Sequence, residues 1–242
     1  RATTTGVGEK LASLAPPPAA DSGSVPALVP PAGPGWIESA GFHSPDLLSA
    51  FHGSWEVPPP PRIHDHQVVF LFIGLQTDRN DGTDLLQPVL QWGFNGTEGG
   101  DYWGMSCWYQ RGGPAEPQPL LVTGNYVRVE PGDRINVAIE QVSWQGIPSW
   151  ECTATTDSSQ ATATLHVSRT PSFRWGQVGL EAYHSPPERE GLYPTAERTG
   201  FTGLALSSAG KSVAPVWESE VRVPGAGRRV EVQGTSAVDL CY

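Results

Sequence analysis

Asp84-Leu85-Leu86-Gln87-Pro88-Val89-Leu90-Gln91-Trp92-Gly93 reads as a β-strand with an anomaly. Side chains of an extended strand alternate between faces, so Leu85, Gln87, Val89 and Gln91 share one side while Leu86, Leu90 and Trp92 share the other. Two amides therefore sit where a buried face wants hydrocarbon. Leaving a buried amide unpaired costs about 1–3 kcal/mol on protein mutational scales. The glutamines are either solvated on a half-exposed strand or partnered on the floor of a polar cleft. Pro88 has no N–H to give to a ladder, which predicts a strand locally at an edge or bulged.

Working outward, short apolar runs alternate with Pro, Gly and Asp from Phe51 onward, the pattern of an all-β antiparallel sandwich. Phe51–Val57 stops at Pro58–Pro61. Gln67–Gln76 is apolar on both faces and reads as a central strand covered on two sides. It leads through the turn Asn80-Asp81-Gly82 into the opening stretch. Tyr102–Gln110 carries aromatics on both faces. Pro119–Glu130 and Arg134–Ser143 flank the turn Pro131-Gly132-Asp133 and read as a hairpin. Trp150–Thr155 and Gln160–Ser168, about the turn Asp157-Ser158-Ser159, read as another. Arg174–Tyr183 puts Trp175, Gln177, Gly179, Glu181 and Tyr183 on one face and Val178, Leu180 and Ala182 on the other. Thr202–Leu206, Val216–Val223 and Arg229–Val232 complete the strands. Residues 44–51 offer one helical turn at most.

A chain of 242 residues is long enough for one full β-sandwich core. Residues 36–242 are read as that single domain. Residues 1–35, with Pro16-Pro17-Pro18, Pro30-Pro31 and few large apolar side chains, read as a disordered Pro/Ala-rich arm or propeptide remnant. The net charge of -10 argues against nucleic-acid and anionic-membrane partners. Lys10 and Lys211 are the only lysines, which fits an acid-adapted surface and equally a preference for arginine. No apolar run is long enough to span a bilayer. No signal peptide is visible, and the start at Arg1 without Met leads to the expectation of a processed form whose leader is gone. Cys107, Cys152 and Cys241 are too few for a disulfide scaffold; one bridge can form, Cys152 to Cys241, with Cys107 buried as a small hydrophobe. Asn95-Gly96-Thr97 is a glycosylation sequon if the protein is secreted.

Phosphate-binding Gly loops, Gly-x-Ser-x-Gly and His-Glu-x-x-His are absent, so nucleotide chemistry and zinc hydrolysis of the common types are disfavoured, and no metal or cofactor is expected. His64-Asp65-His66 reads as a solvated loop rather than a metal ligand pair. His184, at a strand end, can hydrogen-bond within a site. Glu181 is the informative carboxylate. It lies in a run that otherwise wants burial, and desolvation raises a carboxyl pKa toward the range of a general acid or base.

The order of features resembles the glutamic peptidases called eqolisins. The resemblance covers about residues 50–207: Gly53-x-Trp55-x-Val57-Pro58, the strand closing on Phe72-Ile73-Gly74-Leu75, Leu90-Gln91-x-Gly93, the Trp/Tyr-rich Tyr102–Tyr109, a Pro-Gly-Asp turn, and Leu180-Glu181. It implies a concanavalin-A-like β-sandwich, a jelly roll of two packed antiparallel sheets with a concave cleft. It also implies a secreted, extracellular, acid-active endopeptidase that acts on polypeptide without a cofactor. Carried over, Gln91 is the catalytic glutamine and Glu181 the catalytic glutamate. Glu181 would take a proton from the attacking water and return one to the leaving amine, while the Gln91 amide holds the water and the oxyanion. Phe72, Gln76, Trp92, Trp103, Trp108, Trp175 and Tyr183 would line the substrate cleft, and a monomer is expected. The family's Trp-Val-Gly-Ile-Asp-Gly is here Phe72-Ile73-Gly74-Leu75-Gln76-Thr77, so an acidic neighbour has become Gln76.

The alternative is a non-catalytic β-sandwich that holds a carbohydrate or small aromatic ligand in the same cleft, since nine tryptophans suit sugar stacking as well as peptide binding. A glycoside hydrolase ranks last, because it needs two facing carboxylates and Glu181 is the one inward acid.

Overall fold

The computed structural model describes residues 35–77, 84–111, 120–185, 189–225 and 227–242. The N-terminal arm (1–34) and the turn at 80–82 lie outside them. The strands, in chain order, are β1 (Trp36–His43), β2 (Ala50–Glu56), β3 (Val68–Gln76), β4 (Asp84–Trp92), β5 (Trp103–Arg111), β6 (Leu120–Thr123), β7 (Val127–Arg128) and β8 (Arg134–Trp144). They continue with β9 (Ile147–Thr156), β10 (Thr162–Val167), β11 (Trp175–Tyr183), β12 (Arg198–Ser208), β13 (Lys211–Val213), β14 (Glu218–Val221), β15 (Arg229–Gln233) and β16 (Ala237–Cys241). One short 3-10 turn, Glu190–Leu192, is the helical element among the described residues; residues 44–51 are not helical.

Two antiparallel sheets result. The first runs β14-β1-β11-β3-β4-β5-β6, with β7 also on β5; the second runs β10-β9-β8-β2-β12-β16-β15, with β13 on β12. Their inner faces meet in one core. Val69, Leu71, Ile73 and Leu75 of β3 and Leu86, Leu90 and Trp92 of β4 face Phe51, Trp55, Ile135, Ile139, Trp150 and Phe201 from the second sheet. This is the alternation read from the sequence, with the even residues of β3 and the odd residues of β4 turned outward.

Three expectations change. The turn Pro131-Gly132-Asp133 does not close a hairpin. β6 and β7 pair with β5 in the first sheet, whereas β8 pairs with β2 and β9 in the second, so the turn carries the chain between layers. β4 is a central strand and not an edge. It accommodates Pro88 by leaving the β3 ladder open between Phe72↔Val89 and Leu75↔Leu86, while Pro88 stays in register with Cys107 of β5. The three cysteines are free and buried; Cys107 Sγ donates to the Ala163 carbonyl at 3.6 Å, and Cys152 neighbours Cys107 across the sandwich rather than pairing with Cys241. The hairpin of β9 and β10 is as expected.

Candidate functional site on the outer face of the first sheet

Four strands set the site. Glu181 on β11 is in register with Phe70 on β3, Phe70 with Gln91 on β4, and Gln91 with Gly104 on β5. Directly opposed residues point to the same side of a sheet, so Glu181, Phe70 and Gln91 stand in one row on the outer face. Glu181 and Gln91 are two strand spacings apart, about 10 Å between Cα atoms, with the Phe70 ring between them.

The face is aromatic. Val68, Phe70, Phe72, Val89, Trp108 and Leu121 form a buried cluster there, flanked by Trp36 and Tyr183. Phe70 meets Trp108 edge-on at 5.1 Å and Tyr183 at 6.0 Å, and Trp36 meets Phe72 edge-on at 5.3 Å. Glycines make the room. A Cβ on Gly179 would lie 2.6 Å from the Phe72 ring, and one on Gly41 would lie 1.9 Å from the Trp175 ring. Phe72, Gln76, Trp108, Trp175 and Tyr183 thus share the face with Glu181. Trp92 and Trp103 do not, because the parity that turns Gln91 outward turns them inward. They pack edge-on at 5.5 Å within the inter-sheet core.

Glu181 is half-buried and makes no hydrogen bond among the described residues. Burial pushes its pKa up to about 8, opposed in part by the Arg222 guanidinium. Arg222 lies over the Trp36 ring at 5.6 Å and meets Glu220 at 3.2 Å. The Glu181 charge and burial together push the Tyr183 hydroxyl well above its ordinary range. The acidity shift anticipated from the sequence is therefore present, and desolvation is its main cause.

Gln91 is partnered rather than solvated. Its Nε2 donates to the Gly93 carbonyl at 2.8 Å and to the Glu98 carbonyl at 2.9 Å, and its Oε1 accepts from Asn95 Nδ2 at 2.9 Å. Both amide hydrogens are used, leaving one lone pair of Oε1. Asn95, the sequon residue, is 8% exposed, and its Oδ1 also accepts from the backbone N–H groups of Thr97 and Glu98. The sequon thus folds a loop onto Gln91.

Gln87 behaves differently. It is 7% exposed, its Oε1 is buried without a partner, and its amide makes no hydrogen bond among the described residues. Across Gly74 lies Gln177, whose Oε1 accepts from Trp175 Nε1 at 2.8 Å and whose Nε2 donates to Gln76 Oε1 at 3.2 Å. The sequence pattern flagged Gln87 and Gln91 alike; what separates them is the loop after β4, which supplies hydrogen-bond partners to Gln91 and none to Gln87. The histidines stand apart. His64 lies 3.4 Å from Asp101, Asp65 pairs with Arg189, and His66 and His184 are exposed. No group of metal-ligating side chains occurs among the described residues.

Solved structures share the architecture. Scytalido-glutamic peptidase with a peptide-based transition-state analogue matches 86% of this chain and 98% of its own, with a TM-score of 0.58 and 16% identity, and a second structure of that enzyme with a transition-state analogue inhibitor gives the same values. Aspergilloglutamic peptidase from Aspergillus niger matches 74% of this chain and 99% of its own at 18% identity, with a TM-score of 0.49. No family model matches the sequence, and no curated protein matches it. At such identity the likeness is one of fold: this chain has the two-sheet antiparallel β-sandwich of scytalido-glutamic peptidase.

Proposed function

We propose that the outer face of the first sheet binds polypeptide and that the protein is an extracellular, monomeric glutamic-peptidase-like hydrolase with Glu181 as its acid–base group. The observation that carries this reading is the half-buried Glu181, with its pKa near 8, on one cross-strand row with Gln91. As the anion, Glu181 takes the proton of a water attacking the scissile carbonyl, and as the acid it returns a proton to the departing amine. The open lone pair of Gln91 Oε1 can accept from that water. Its N–H groups can reach an oxyanion only if the contacts to Gly93 and Glu98 give way when substrate binds.

The raised pKa of Glu181 gives the proposal a pH dependence that can be tested. Base catalysis by Glu181 gives a rate that climbs with pH and levels off above about 8. A rate that is highest at pH 2–4 would instead require the protonated carboxyl to act first, as an acid. Incubating denatured casein with the protein between pH 2 and 9 tests both forms, with Glu181→Gln expected to abolish cleavage at every pH. Cleavage untouched by Glu181→Gln sinks the assignment.

The saturated amide of Gln91 favours a second reading, a binding protein that holds its ligand without turnover. Binding of casein-derived peptide with no cleavage at any pH selects it.

A further inference from the structure

The second sheet has a polar outer face of its own, on the side of the sandwich away from Glu181. Cross-strand register arranges it in rows. Thr162, Thr155, Asn136, Ser54 and Thr202 stand in line across β10, β9, β8, β2 and β12, and Thr164, Thr153, Ala138 and His52 form the next row. Their neighbours Ile135, Val137, Ile139, Cys152 and Ala154 fill the core, so parity turns both rows outward. A shallow, open groove of about 430 Å³ lies between them, lined by His52, Ser54, Asn136, Ala138, Thr153 and Thr155. Ala138 makes the floor, because its methyl is the smallest side chain in the two rows. Several polar atoms face the groove unused: Asn136 gives one N–H to Asp157 and Thr155 Oγ1 meets Thr162 Oγ1 at 3.1 Å, whereas Asn136 Oδ1, Thr153 Oγ1 and His52 Nδ1 make no hydrogen bond among the described residues. In the row beyond, Glu140 accepts from or pairs with His52 Nε2 at 2.8 Å and stands directly opposite Glu151, which is in register with His166. The Trp144 ring rests against His166 at 4.9 Å and is 53% exposed.

We propose that this groove binds a neutral oligosaccharide lying along β9, with one sugar ring stacked on Trp144 and the following rings hydrogen-bonded by Glu151, Glu140, Thr153 and Asn136. Sugar hydroxyls donate and accept, and the groove answers both: the carboxylates and Asn136 Oδ1 accept, the second Asn136 N–H donates, and the threonine hydroxyls do either. The C–H faces of a sugar need flat apolar contact. The exposed indole and the Ala138 methyl supply it. Like charges directly opposed destabilise a sheet, and hydroxyls donating to Glu140 and Glu151 together would offset that cost. Glu151, Thr153 and Thr155 spread these contacts along roughly 13 Å of strand, with Trp144 beyond them. A peptide is the poorer occupant, because β9, β8 and β2 are interior strands and offer no free edge for main-chain pairing. The site lies on the opposite sheet from Glu181 and does not depend on hydrolysis.

The test is isothermal titration calorimetry of the full chain with cellohexaose and with chitohexaose, both uncharged. At least one is expected to bind, and Trp144→Ala to weaken it roughly tenfold through the lost stacking. Ala138→Leu fills the floor of the groove without removing a polar atom and should weaken binding by a similar factor. Both side chains lie outside the core, so both variants should melt at the parent temperature, which shows that the loss is not misfolding. Casein-derived peptide should not displace the glycan, since its proposed place is the other sheet. Absence of binding by both glycans at millimolar concentration overturns the proposal, as does an affinity unchanged in either variant or a glycan displaced by the peptide.

Discussion

At the scale of single residues, the loop after β4 decides what Gln91 can do. Gly93 and Gly99 have φ values of +90° and +100°, and a Cβ on Gly99 would lie 2.2 Å from the Gly93 carbonyl oxygen and 2.4 Å from Gln91 Nε2. Only glycine closes the loop this tightly on the amide. Asn95 completes the closure through three hydrogen bonds, one from its amide nitrogen and two to its oxygen. Asn95→Ala should therefore cost about 1–3 kcal/mol of stability, allowing roughly 1 kcal/mol net per lost bond and some repair by water. Urea denaturation measures this. The same substitution frees Gln91 Oε1 and loosens Glu98, so any cleavage activity should rise per folded molecule if the lock opposes catalysis. Activity that falls in parallel with stability would make the loop a part of the site rather than its restraint.

Among the strands, the period of two carried most of the reading, and its limits show where it stopped. Parity put Leu86, Leu90 and Trp92 on one face and Gln87 and Gln91 on the other, and Trp92, assigned to the cleft by the resemblance, follows parity into the core. Parity cannot tell a side chain folded against a loop from one left without a hydrogen-bond partner, so the difference between Gln91 and Gln87 needed the loop contacts of Gln91. The Pro131-Gly132-Asp133 turn misled for a related reason. A turn signal records that the chain reverses, while its choice between a hairpin and a passage to the other sheet depends on which face each strand buries. β1 escaped notice because it carries Glu38 among its apolar positions and follows a Pro-rich segment, although it pairs with β11 along the edge of the site. That edge can be probed at Gly41, where the Trp175 ring lies flat against the backbone. Gly41→Ala forces the ring aside and should destabilise the fold by about 1–3 kcal/mol, the usual range for overpacking. Urea denaturation of Gly41→Ala beside the parent measures this.

For the whole molecule, the buried Glu38 and the half-buried Glu181 make stability depend on pH. Glu38 is 1% exposed, and no donor reaches either of its oxygens in hydrogen-bond geometry. Burial lifts its pKa to about 8 against the opposing pull of Arg228, the nearby Cys241 backbone and Arg229, and burial lifts Glu181 to the same value. In the unfolded chain both groups return to an ordinary carboxyl pKa near 4.5. The folded state thus binds more protons than the unfolded one between these values, and the stability that protonation contributes is full below about 4.5 and is lost as pH rises through about 8. Each tenfold in proton affinity corresponds to about 1.4 kcal/mol, so Glu38 alone accounts for several kcal/mol, and the more exposed Glu181 for less because solvent screens it. Glu38→Gln keeps the shape and cannot ionise. Its melting temperature should equal or trail that of the parent at pH 4 and exceed it at pH 9, with the difference opening between pH 5 and 8. Parallel melting curves for the two proteins across that window would show that Glu38 does not titrate in the folded state. The scarcity of lysine and the net charge of -10 act in the same direction, since an acidic surface loses self-repulsion as its carboxylates are protonated. Glu38→Gln separates the contributions, because it removes the buried titration while changing the surface charge by at most one.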